Sequence, residues 1–129
     1  MLKFGLVVNP LAGIGGAAGL KGSDAVDTEV ALARGGRPRG EGRCARMLTA
    51  LGATLGDIAW LTWGGAMGAR CLLEVAGKHA ALRVSVVGTP PSVTSADDTV
   101  AAARALQAAG VDLLVFVGGD GTARDIVDA

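Results

Sequence analysis

The chain is predicted to be an α/β protein, an open parallel sheet of about four strands with helices on both faces. Three observations predict this. Short apolar runs alternate with segments of helical spacing along the sequence, the rhythm of βαβ units. The strand candidates are largely apolar, as expected of parallel strands covered on both sides. Glycine supplies 21 of the 129 residues, well above the usual share of roughly 7%. The glycines cluster between the apolar runs without a collagen-like period, so they punctuate turns.

The elements follow in order. Lys3 to Val8 reads as a first strand, stopped by Asn9-Pro10 because proline cannot donate to a ladder. Residues 11–22 form a glycine-rich loop. Asp24 to Arg34 carries Val26, Val30 and Ala33 at helical spacing, with Ser23 or Asp24 as N-cap and Gly35 beyond its end. Gly35 to Gly40 is a turn with two charges, Arg37 and Arg39. Glu41 to Leu51 reads as a second helix, with Ala45, Leu48 and Leu51 on one face and Gly52 as the stop. Asp57 to Trp63 is a second strand, and Ala66 to Ala76 a helix closed by Gly77. Leu82 to Val87 is a third strand. Ser95 and Asp98 have the spacing of a capping box, opening a helix to Ala109. Leu113 to Val117 is the fourth strand. Thr122 to Asp125 repeats the capping pattern and opens a last helix, read as incomplete at Ala129.

Composition narrows the function. Twelve basic and twelve acidic residues cancel, so the basic face that nucleic acid requires is not expected. No apolar stretch approaches the roughly 20 residues of a membrane span. Half the residues are hydrophobic, enough for one packed domain, its core built on Val, Leu, Ile and Ala because aromatics are few. Cys44 and Cys71 have neither metal nor redox spacing and fit a cytoplasmic location. A homo-oligomer is left open by the sequence.

The strongest chemical signal is Gly118-Gly119-Asp120-Gly121-Thr122, directly after the apolar run Leu113–Val117. Glycines let a phosphate approach the backbone with no Cβ in the way. The free N–H groups of a following helix start attract anions. Asp120, held among those donors, could take a proton from a hydroxyl or help hold Mg²⁺; the plainer reading is a tight turn with Asp120 as N-cap. Arg124, placed by this reading in the first helical turn, opposes the helix dipole, so it meets either a phosphate or Asp125 or Asp128. Gly13 to Gly19 contains G-x-G-x-x-x-G, close to a dinucleotide fingerprint. The intervening Asn9-Pro10-Leu11-Ala12, and the lack of an acidic residue closing the second strand, argue against a hydride-transfer enzyme. Lys21 lies outside any P-loop pattern and reads as a solvated loop charge. His79 stands alone. The two tryptophans and Met67 read as packing residues.

Asn9-Pro10-Leu11-Ala12-Gly13 and Gly118 to Thr122, in this order, resemble the two N-terminal signatures of the ATP-NAD kinase family, in the superfamily shared with diacylglycerol and sphingosine kinases. More narrowly, Gly19 to Asp24, Thr94 to Thr99 and Gly118 to Ile126 resemble its acetoin-catabolism-type branch. The resemblance implies a Rossmann-like first domain of a two-domain enzyme. Such an enzyme phosphorylates the adenosine 2′-hydroxyl of NAD with ATP or polyphosphate and Mg²⁺. Asp120 would be the general base. Gly119, Gly121 and Thr122 would hold phosphates, Asn9 and Gly13 would support the nucleotide loop, and Gly118 and Arg124 complete the expected nucleotide-binding set. Members continue into a β-rich second domain, so these 129 residues alone are expected to be inactive. A lipid or sphingoid kinase-type domain and a non-catalytic nucleotide-binding module are the alternatives.

Overall fold

Every neighbouring pair of strands runs parallel, in the order β3-β2-β1-β4. The strands of this computed structural model are β1 (Leu2–Val8), β2 (Ile58–Thr62), β3 (Arg83–Val86) and β4 (Leu113–Val117). The helices are α1 (Gly40–Leu51), α2 (Ala69–Ala76), α3 (Ala96–Ala108) and α4 (Asp120–Val127). The structure describes residues 1–13 and 38–129. The helix expected over residues 24–34, the G-x-G-x-x-x-G stretch beyond Gly13, Lys21 and the Gly19 to Asp24 motif lie outside the described residues.

Period-two alternation in β1 divides the core between two faces. Leu6 and Val8 point to one side with Trp60, where Cys44 and Leu48 of α1 and Cys71 and Leu72 of α2 cover them. Val7 points to the other, against Met67 and against Ala102 and Leu106 of α3. Phe4 and Trp60 meet edge-on at 5.5 Å and 80° across the β1–β2 pair. Burying a side chain the size of Leu6 or Leu106 stabilises the fold by about 1.5–3 kcal/mol, and both are fully buried. Helices therefore cover both faces of a Rossmann-like parallel sheet, as the sequence predicts.

Local chemistry explains the boundaries. Ser95 caps α3, and its backbone N–H donates to Asp98 Oδ2 at 2.7 Å, completing the expected capping box. The helix expected over 66–76 is split. A 3₁₀ turn at Gly65–Met67 precedes α2, and Gly68 between them has φ +141°, outside helical space. A Cβ there would strike the hydroxyl of Thr62, which donates to the Leu6 carbonyl at 2.8 Å. The last helix also starts earlier than the Thr122 capping pattern suggests. Its N-cap is Gly119 and its first residue Asp120, so Thr122 lies within the first turn.

Candidate functional site

Strand order places the site. The chain steps from β1 outward to β2 and β3, then returns past β1 to add β4 on its other side. The order reverses between β1 and β4, and an open α/β sheet has its ligand crevice at the carboxyl ends of such a strand pair. The turn Gly118–Thr122 leaves β4 and Asn9 leaves β1 at this point. The sequence motifs, more than a hundred residues apart, become neighbours because Val8 pairs with Val117.

Asn9 ties the two exits together. Its backbone N–H donates to the Val117 carbonyl at 2.8 Å, and its Nδ2 donates to Thr122 Oγ1 at 3.0 Å. Its Oδ1 accepts the Leu11 N–H at 3.0 Å, closing an Asx turn over Pro10. Thr122 is buried, its side chain turned inward to Asn9. Gly118 has no room for a side chain, because a Cβ would overlap the Thr122 side chain. These contacts fix where α4 begins.

The face turned outward is different. The first backbone bond of α4 runs from Ala123 N–H to the Gly119 carbonyl at 3.0 Å, so the N–H groups of Asp120, Gly121 and Thr122 have no partner within the helix. Among the described residues, a Cβ on Gly119 or Gly121 would meet nothing within 4 Å, and neither glycine has positive φ. The fold makes no demand for glycine at either place. Asp120 is exposed and caps no helix, the N-cap being Gly119 with no side-chain cap bond. The simple reading of Asp120 as an N-cap is thereby removed.

Arg124 stands apart from the others. It falls in the last turn of α4, not the first, where a cation suits the helix dipole. Among the described residues it pairs with neither Asp125 nor Asp128, since the ion pair present is Arg70–Glu41 at 3.3 Å. The sequence marks Arg39 only as a turn charge and gives Arg43 no role. Both stand beside Gly13, whose φ is +80°. Next to Pro10 and Leu11 opens a cleft of about 520 Å³ over the ends of β1, β2 and β3, lined also by Ala66, Arg70, Thr89 and Pro90. Among the described residues no three His, Cys, Asp or Glu side chains gather as a metal cage. No helix among them is long and apolar enough to cross a membrane.

Among the described residues, the switch point of this parallel α/β sheet brings together Gly119, Gly121, the first turn of α4 and the exposed Asp120. The ATP-NAD kinase N-terminal domain matches residues 65–129, which take in α2 through α4 and the Gly118–Thr122 turn. The chain belongs to that kinase family. Neither a curated protein nor a solved structure matches it.

Proposed function

We propose that this domain forms the nucleotide side of a phosphotransferase that moves a phosphoryl group from ATP or polyphosphate to the 2′-hydroxyl of NAD. The observation that carries this reading is the convergence at the β1–β4 exit. Asn9 and Thr122 lock the two loops at 3.0 Å, and the locked turn presents Asp120 to solvent beside N–H groups that the helix itself leaves unpaired. Phosphoryl transfer requires positioning and charge stabilisation more than covalent help from the protein. The N–H groups of α4 bind and orient phosphate oxygens. Gly119 and Gly121 let those oxygens reach the backbone. Asp120 accepts the proton of the attacking hydroxyl as its oxygen bonds to the transferred phosphorus and the donor's bridging oxygen leaves with its electron pair. The neighbouring cleft has the size of a small-ligand site and gives the nucleoside end a place beside Pro10 and Leu11.

Mg²⁺ fits this donor set. It commonly binds through one or two carboxylates together with substrate phosphates and water, and Asp120 is one free carboxylate at the phosphate turn. When bound, Mg²⁺ supplies charge neutralisation to the transferring group. We place the protein in the cytoplasm and expect these 129 residues alone to be inactive, because Asp120 stands open to water.

NADP formation by the full-length protein, read by a dehydrogenase-coupled assay, tests the assignment. Asp120→Asn is expected to lower turnover about 10²–10⁴-fold, the usual contribution of a general base, while the Kd for ATP changes less than threefold. Unchanged turnover would remove Asp120 from the chemistry and leave a binding module.

A further inference from the structure

We propose that Arg39 and Arg43 form a guanidinium clamp for the distal phosphates of the donor, next to the Gly118–Thr122 turn. The proposal rests on reading that turn as the phosphate site, and it adds an anion subsite on the β1 side.

The two arginines are held by the backbone. Arg39 is the N-cap residue of α1, and its N–H donates to the Ala12 carbonyl at 2.8 Å. Arg43 follows one turn later, its N–H bonded to the Arg39 carbonyl at 3.0 Å. Both lie over Gly13. A methyl group built on Gly13 would stand 3.2 Å from Arg43 Nη2 and 3.4 Å from Arg39 Cδ. The first turn of α1 is also pressed against the phosphate loop, because a Cβ on Gly40 would overlap the Asn9 carbonyl. Asn9 in turn bonds to Thr122. The clamp and the glycine turn are thus parts of one hydrogen-bonded edge.

The arrangement is electrostatically unfavourable without an anion. A helix N-terminus is its positive end, where cations are disfavoured. Like charges spaced i, i+4 repel. The nearby acid, Glu41, is engaged by Arg70 of α2 at 3.3 Å. Among the described residues neither Arg39 nor Arg43 has an ion-pair partner. Two guanidiniums with no ion-pair partner among the described residues, converging on a glycine beside a phosphate turn, are suited to binding phosphate oxygens through planar, paired N–H donors.

Calorimetric titration of the purified chain with inorganic tripolyphosphate tests this, comparing the parent, the double variant Arg39→Gln/Arg43→Gln, and Gly119→Val. A charge-assisted bond typically corresponds to about a tenfold change in affinity or more. The double variant is expected to bind about a hundredfold more weakly, with less dependence on salt. Without anion it should melt at a higher temperature than the parent, because the repulsion is gone, and tripolyphosphate should no longer raise its Tm. Binding by the double variant within threefold of the parent overturns the clamp, as does absence of binding by the parent. If Gly119→Val alone weakens binding, the glycine turn stands without the clamp. If the arginine variant alone weakens it, the clamp stands and the turn loses its phosphate role.

Discussion

The exits of β2 and β4 are both rich in glycine, yet the glycines do opposite work. After β2, Gly64 and Gly68 build a crowded corner. Gly64 donates to the Gly88 carbonyl at 2.8 Å, and a Cβ on Gly88 would overlap the Trp63 ring. After β4, a Cβ on Gly119 or Gly121 would meet none of the described residues within 4 Å. Only Gly118 in that turn is crowded, by Thr122. The difference shows why a glycine count cannot locate a site. A glycine that the fold needs is explained by packing, whereas one the fold can do without calls for an external reason.

Gly68→Ala should have the largest effect. The new Cβ meets the buried Thr62 hydroxyl and the backbone holds φ at +141°. Overpacking and a strained dihedral together are expected to cost about 3 kcal/mol. Urea unfolding followed by circular dichroism measures it. A loss below 1 kcal/mol would mean that this corner yields easily, and the contrast with the β4 exit would weaken.

Much of this contrast is legible in the sequence, and part is not. The strands are readable because their apolar runs are short and bounded by glycine or proline, and the fourth is expected at Leu113–Val117, as observed. The capping box at Ser95 is readable because it depends on residues three apart. The break at Gly68 is hidden, since apolar spacing over 66–76 satisfies a helix and positive φ leaves no trace in periodicity. The sequence places the start of α4 too late, at Thr122, because Thr is a favoured cap. In the fold the glycine turn supplies the cap, and packing against Asn9 turns the threonine inward. Arg39 and Arg43 give no signal, because their significance lies in standing over Gly13, a tertiary contact. Cys44 and Cys71 share no motif spacing, yet α1 and α2 bring them into one core cluster.

Gly121→Ala should have a smaller effect of mixed sign. Position 121 lies in the first turn of α4, a Cβ there would meet none of the described residues, and its φ is not positive. Alanine there should raise stability by about 0.5–1 kcal/mol, through helix propensity and a less flexible unfolded chain. The same methyl group should weaken ATP binding about tenfold, near 1.4 kcal/mol, by holding phosphate off the backbone. A variant that is more stable and binds as well as the parent would remove the external reason for this glycine.

The sealed face of the sheet offers the last and smallest effect. Cys44 and Cys71 are free and buried between α1 and α2. Cys71 Sγ lies 3.8 Å from the Glu41 carbonyl, one turn from Cys44. Burial, reinforced by the neighbouring thiol and by Glu41, pushes the Cys44 thiol well above its ordinary 9.0. Burial likewise raises Cys71, with the Cys44 hydrogen bond acting in the opposite direction. An acid whose folded pKa is raised keeps its full contribution below the unfolded value and loses it as pH climbs, because the unfolded chain releases the proton first. Stability should therefore hold to about pH 9 and fall by about 1 kcal/mol by pH 10. The Cys44→Ala/Cys71→Ala variant, although less stable throughout, should show a flatter decline over the same range. Parallel curves for the two proteins would mean that the thiols titrate as freely as in the unfolded chain, and this face would be more open than its packing indicates.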